Sequence, residues 1–229
     1  KFFSIDGLGV RMETIDGEAK SWSQPIINQP EVGYLGCIAK EFNGVLYLLV
    51  QAKIEPGNMN IVQISPTLQA TRSNYTQAHK GKAPKYLDYF NVLGKSKVLV
   101  DQLQSEQGGR FLAKRNRNII VEVDEEIALS PAFNWLTLGQ IKKLISHDNV
   151  VNMDLRTVIS CIPINESNHV TLHGSNFLED ATASCGSDML SSALNPDGGV
   201  ESIVGIISWL TELKSKTDLH VTKLRLDDL

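Results

Sequence analysis

The chain has 229 residues, 42% of them hydrophobic and 21% charged, so it can bury a substantial core without disulfides or metals. A formal net charge of -4 gives no electrostatic footprint for nucleic acid or an acidic membrane, and no stretch approaches the roughly 20 apolar residues of a membrane span. Cys37, Cys161 and Cys185 are widely spaced with no CxxC pair, which argues against a disulfide framework or a zinc site and for reduced thiols in a cytoplasmic protein.

KFFSIDGLGV carries no initiator Met and no signal-peptide layout, and it begins in mid-motif, as expected of a piece of a longer protein. Residues 1–28 read as short strands broken by turns at Asp6-Gly7 and Asp16-Gly17. GYLGCIAKEF and VLYLLVQAKI, joined at Asn43-Gly44, form a hairpin that Pro56-Gly57-Asn58 ends. NMNIVQISPTLQATRSN continues extended, Pro66 marking an edge or a bend, and HKGKAP is a loop. KVLVDQLQ and RNRNIIVEV are strands. Thr137 caps a helix over LTLGQIKKLI, whose Leu138, Ile141, Leu144 and Ile145 share a face, and RTVISCIPI returns to strand. Residues 165–201 are polar and poor in large apolar side chains, a linker pattern, and the tail reads as a helix and an alternating strand. The pattern predicts a strand-rich α+β domain over 1–163, a polar linker over 164–201 and a small connector over 202–229.

Three strands begin apolar on one face and turn polar. Tyr47 and Leu49 give way to Gln51, Lys53 and Glu55; Val98 and Val100 to Gln102, Gln104 and Glu106; Ile119, Val121 and Val123 share a face with Arg115 and Arg117. As neighbours, their polar ends would line one mouth over an apolar floor, the usual form of a small-molecule pocket. Taken singly, such faces emerge into solvent at the rim of a sheet. Two basic islands contain no acid: residues 107–121 with Arg110, Lys114, Arg115 and Arg117, and residues 71–87 with Arg72, Lys80, Lys82 and Lys85. They suit a small anion such as a diphosphate. Overlapping the start of the second island, Thr67, Gln69, Thr71, Ser73, Asn74, Tyr75 and Thr76 offer hydroxyls and amides that fit an ordinary polar loop and that, with Arg72, would also serve a sugar and a phosphate together. His169 and His173 have a metal spacing only on a helix, and VTLHGS is not a helical context; His79 sits in a basic loop. Asp6-Gly-Leu-Gly lacks the third glycine of a dinucleotide fingerprint, and the sequence has no nucleophile elbow, Walker loop or HExxH. Trp22 and Trp135 are core residues by default, though either can offer a stacking face.

QAKIEPGNMNIVQISPTLQATRSNYTQAHKGKAPKYLDYF, SEQGGRFLAKRNRNIIVEV and WLTLGQIKKLI…NVVNMDLRTVISCIP, with SWSQPIINQPEVGYLG before them, strongly resemble the NDP-hexose 2,3-dehydratases of deoxysugar biosynthesis over about residues 1–163. SWLTELKSKTDLHVTKLRLDDL resembles the connector after the first repeat of that family. The resemblance implies a Nudix-like mixed sheet with a few packed helices. It also implies one of two repeats, here resembling the N-terminal one, so the chain is either a fragment or a repeat that pairs with a second repeat or as a homodimer. The Nudix metal box is absent, SEQGGRFLAKRNRN lacking its carboxylate cluster, which argues against a pyrophosphohydrolase.

The substrate implied is a dTDP-4-keto-6-deoxyhexose, dehydrated across carbons 2 and 3 with neither metal nor redox cofactor, and with no nucleic-acid or membrane partner. The carbon-3 hydrogen is acidic beside the carbon-4 ketone, so the elimination needs a base, donors for the enolate oxygen and an acid for the departing hydroxyl. Glu55 or Glu106 is the expected base, and Tyr75 or Lys53 the expected donor or acid. Arg72, Arg110, Arg115 and Arg117 are candidates for the diphosphate, and Gln51, Asn58, Gln69, Ser73 and Asn116 for the sugar hydroxyls. The rival reading is a half that binds a nucleotide sugar without turning it over.

Overall fold

Asp6-Gly7 does not turn the chain. In the computed structural model, which describes residues 3–76, 83–92, 94–163, 192 and 200–229, strand β1 (Ser4–Thr14) runs straight through it. A turn at Asp16-Gly17 leads to β2 (Ala19–Asn28). Gly7 belongs in the strand because a Cβ there would lie 2.9 Å from the Arg225 carbonyl, closer than side chains tolerate. Two compact units divide the chain: residues 1–6 with 25–162, and residues 7–24 with 163–229.

In the first unit, β3 (Gly33–Phe42) and β4 (Val45–Ile54) form the expected hairpin. Asn43 and Gly44, with φ of 52° and 80°, supply the paired left-handed conformations of a tight primed turn. The expected extended stretch is two strands, β5 (Val62–Pro66) and β6 (Leu68–Ala70), followed by a single helical turn, α1 (Arg72–Tyr75). Thr67 sits at the break between them. Its hydroxyl donates to the Leu49 carbonyl and accepts from the Ile38 N–H, stitching β3 to β4. A second short helix, α2 (Asp88–Asn91), precedes β7 (Lys97–Ser105) and β8 (Arg115–Glu122). Then come β9 (Phe133–Thr137), which the sequence pattern did not announce, and α3 (Leu138–Ile145). Thr137 caps α3 through a full capping box with Gln140, as its sequence implies.

RTVISCIPI is a correction. Its first half is the end of helix α4 (Met153–Ser160), which a hydrogen bond of 2.8 Å from the Leu155 N–H to the Asn152 side chain caps. The β-branched run Thr157-Val158-Ile159 mimics a strand, but Leu155, Val158 and Ile159 are spaced to bury one helical face.

The sheet is mixed and strand-rich, ordered β5-β4-β3-β8-β7, with β6 added to β3 and β9 to β4. β3 and β8 run parallel; the other pairs described are antiparallel. Both faces are covered. Leu35, Cys37, Ala39, Leu48, Val50 and Ile120 pack against Ile141 of α3 and Leu155, Val158 and Ile159 of α4. The other face buries Ile38, Leu49, Leu68, Ile119 and Val121 with Leu87, Phe90 and Phe133.

In the second unit, β1 from Gly7 onward pairs antiparallel with β10 (Thr217–Leu224), which follows helix α5 (Ile203–Ser215). That helix and strand are the expected tail. The expected linker over 164–201 falls mostly on residues outside those described, as do His79, His169, His173 and Cys185. Among the described residues no helix is long and apolar enough to cross a membrane.

Candidate active site

β8 alternates, and the alternation divides its polar residues between two faces. Asn116 and Asn118 share the α4 face with Ile120; Arg115 and Arg117 share the other with Ile119 and Val121. A bulge between Val98 and Val100 sets the partner strand, pairing Val98 with Val121 and Val100 with Ile120. The two valines therefore lie on different faces, against expectation, because the extra residue reverses the alternation. Gln102 and Gln104 remain on the α4 face, opposite Asn118 and Asn116.

A cleft opens where this polar end of the sheet meets the first turn of α4. One lobe, of about 180 Å³, is lined by Gln104, Asn118, Met153 and Thr157 among others. A second lobe, of about 240 Å³, is lined by Lys53, Gln69, Asn74 and Lys114 among others. Leu35, Glu106, Asn116 and Asp154 line both.

One hydrogen-bonded chain and two separate hydrogen-bonded pairs shape its walls. On one side Lys53 Nζ lies 2.9 Å from Glu55 Oε1, which also accepts from Gln69 Nε2 at 3.0 Å. Gln69 Oε1 in turn accepts from Asn152 Nδ2 at 3.3 Å, so the residue that caps α4 is tied to the sheet. On the other side Asn116 Nδ2 donates to Glu106 Oε2 at 2.7 Å, and Asn118 Nδ2 donates to Gln104 Oε1 at 2.9 Å. The Oδ1 of Asn118 is fully buried and has no partner among the described residues. Leaving such an atom without a partner costs about 1–3 kcal/mol.

Burial perturbs two charges in the cleft, Lys114 and Asp154. Lys114, only 4% exposed, donates from Nζ to the Glu31 carbonyl at 2.5 Å, and desolvation lowers its pKa against the pull of Glu31 and Glu106. Asp154 is pushed up to about 6. Burial is the largest cause; repulsion from Glu106 and Glu55 adds to it, while Lys53 pulls the other way. Sequence reasoning missed Asp154. Its one local signal is the Asn152-x-x-Leu155 cap, which places it in the first turn of a helix.

The cleft thus brings together Lys53, Gln69, Glu106 and Asn116 of the expected site residues, with Glu55 held just behind Lys53. Others stand elsewhere. Gln51 lines an adjoining cavity of about 340 Å³ with Lys85 and Phe133, which shares Lys53 and Gln69 with the cleft. Arg117 pairs with Asp101 and donates to Tyr34 Oη. Ser73 is buried and bonded to Glu31, and the Asn58 side chain donates to the Ile61 carbonyl in its turn. Arg72, Arg110 and Arg115 are exposed, and the side chain of Tyr75 lies outside the described residues.

The sequence profile of the NDP-hexose 2,3-dehydratase family matches residues 1–162. The chain belongs to the NDP-hexose 2,3-dehydratase family. A dTDP-4-dehydro-6-deoxy-alpha-D-glucopyranose 2,3-dehydratase from Saccharopolyspora spinosa is 50% identical over 228 residues, covering 99% of this chain and 45% of that protein. Another, from Amycolatopsis orientalis, is 44% identical over 232 residues, covering 100% of this chain and 43% of that protein. This member of the NDP-hexose 2,3-dehydratase family therefore spans less than half the length of the curated relatives it matches. Among solved structures, an ADP compounds hydrolase is similar at 9% identity and a TM-score of 0.41, covering 69% of this chain and 84% of that one. A Nudix hydrolase from M. Smegmatis is similar at 12% identity and a TM-score of 0.38, covering 67% and 96%. Likeness at this level adds nothing to the sheet order described above.

Proposed function

We propose that the α4 cleft is where water is eliminated across carbons 2 and 3 of a dTDP-4-keto-6-deoxyhexose, in deoxysugar biosynthesis. The observation that carries this reading is the meeting of carboxylates and amines on one cleft of a chain in this family: Glu106 and Asp154 with Lys53 and Lys114. A cleft carboxylate takes the carbon-3 proton; Glu55, Glu106 and Asp154 are the groups at hand. The ammonium groups of Lys53 and Lys114 stabilise the charge that passes to the ketone oxygen. Gln69 and Asn116 supply amides for sugar hydroxyls, and Arg115, next to Lys114 in the chain, is a candidate for the diphosphate along with Arg72 and Arg110. Tyr75 stays a candidate acid from the resemblance alone. Nothing in this scheme calls for a redox cofactor or a metal.

Pairing with a second repeat, or with a second copy of this chain, is supported by α5, where Ile203, Val204, Ile207 and Trp209 are exposed. The free thiols Cys37 and Cys161 suit a cytoplasmic setting.

Incubating the complete protein with dTDP-4-keto-6-deoxyglucose in deuterated buffer, and following the sugar by NMR, tests the reading. Loss of the carbon-2 hydroxyl is the expected result. An intact sugar, with dTDP nonetheless bound, would overturn it in favour of a half that binds without turnover.

A further inference from the structure

We propose that Asp154 is the proton-transfer residue of this cleft: its carboxylate takes the hydrogen from carbon 3 and returns it to the hydroxyl leaving carbon 2. The inference deepens the dehydratase reading and rests on it.

Position narrows the choice to two carboxylates, Asp154 and Glu106, which line both lobes and so meet a sugar in either. Hydrogen bonding then separates them. The competing carboxylates are occupied: Glu55 by Lys53 and Gln69, Glu106 by Asn116 and by the Gln107 N–H at 3.2 Å. Among the described residues nothing donates a hydrogen bond to the Asp154 carboxylate, which leaves its oxygens for a ligand. Its backbone is nonetheless fixed, because Asn152 caps α4 and is anchored to Gln69.

The electrostatics fit the role. A base works best with a pKa near the working pH, and burial with Glu106 and Glu55 nearby moves Asp154 to about 6, still ionised at neutral pH. The charged groups facing it are Glu106, from the end of β7, and Lys53 and Glu55, from the end of β4; Lys114 lines the second lobe with it.

The atoms balance without a co-reactant. The carbon-3 hydrogen leaves as a proton to the Asp154 carboxylate, and its electron pair forms the carbon 3–carbon 4 double bond as charge moves to the ketone oxygen. The enolate collapses, restoring the ketone and forming the carbon 2–carbon 3 double bond while the carbon 2–oxygen bond breaks. Asp154 hands its proton to the departing oxygen, which leaves as water, and the carboxylate is regenerated.

The test uses the complete protein and dTDP-4-keto-6-deoxyglucose in deuterated buffer. Asp154→Asn is expected to lower both carbon-3 exchange and dehydration by about 10²–10⁴-fold, the usual worth of a positioned base, with dTDP affinity little changed. Asp154→Glu should recover part of the rate. Glu106→Gln should move the acidic limb of kcat/KM to lower pH by removing a like charge; Lys53→Met should move it to higher pH. Asp154→Asn exchanging carbon 3 at the wild-type rate, or a limb that ignores both neighbours, would overturn the assignment while the dehydratase reading stands. A wild-type protein that leaves the sugar intact overturns both.

Discussion

One strand carries two polar clusters that differ in how well they are satisfied. On the second face of β8, Arg117 forks onto Asp101, Nε to Oδ1 at 2.6 Å and Nη2 to Oδ2 at 2.5 Å, and adds Tyr34 Oη at 3.2 Å. That hydrogen bonding holds the Asp101 carboxyl below the usual carboxylate range. On the α4 face, Asn118 keeps an unpartnered buried oxygen, Lys114 is desolvated, and Asp154 is raised by burial and like charge. Polar groups that answer each other hold a fold together; a carboxylate with no donor in a cleft is free to meet a ligand. On the proposed reading, one face of the strand serves structure and the other serves chemistry.

Substitutions on the two faces should separate these roles. The largest expected effect is on turnover: Asp154→Asn should cost about 10²–10⁴-fold in kcat, whereas Asp101→Asn should leave kcat within about twofold, both read by NMR of the sugar product. Next is Gly33→Ala. A Cβ there would lie 2.8 Å from Asn116 Oδ1, displacing the amide that holds Glu106, so kcat/KM should fall by roughly tenfold with little change in melting temperature.

Stability should respond in the opposite direction at Asp154. Its folded-state pKa, about 6, lies above the usual value, so the folded protein binds the extra proton more tightly. That contribution is fully present below the unfolded pKa near 4 and is lost as pH rises through about 6. Asp154→Asn should therefore stabilise the protein by about 1–2 kcal/mol at pH 8 and by almost nothing at pH 4, measured by urea unfolding. A gain in stability with a loss in rate is the mark of a strained functional group. The smallest effect belongs to the satisfied pair. Asp101→Asn should cost less than about 1 kcal/mol at neutral pH, and the difference should shrink as pH falls through the lowered pKa of Asp101.

Much of the scaffold is legible from local chemistry. Asn43-Gly44 dictates its hairpin, Thr137 and Gln140 announce the start of α3, and the apolar runs of β3, β4 and β8 mark strands buried on both faces. Local chemistry misleads where a short pattern has two meanings. Thr157-Val158-Ile159 reads as strand until Asn152 is seen as a cap, and Asp6-Gly7 reads as a turn until Arg225 is seen to require a glycine opposite it. The polar ends of β4 and β7 do reach one cleft through Lys53 and Glu106, but on β8 it is Asn116 and Asn118 that face it, not the arginines between them. Asp154 is invisible to such a reading. Its pKa is raised first by burial and then by Glu106 and Glu55, which are far from it in sequence, and all three act only once α4 docks on the sheet.

The most direct test of the contrast is a carboxyl ¹³C NMR titration of the complete protein with labelled aspartate, read at Asp154 in the wild type and in Glu106→Gln. Titration near pH 6 that moves to lower pH in the variant is the predicted result. An Asp154 that titrates near 4 in both proteins, like an ordinary exposed aspartate, would contradict it.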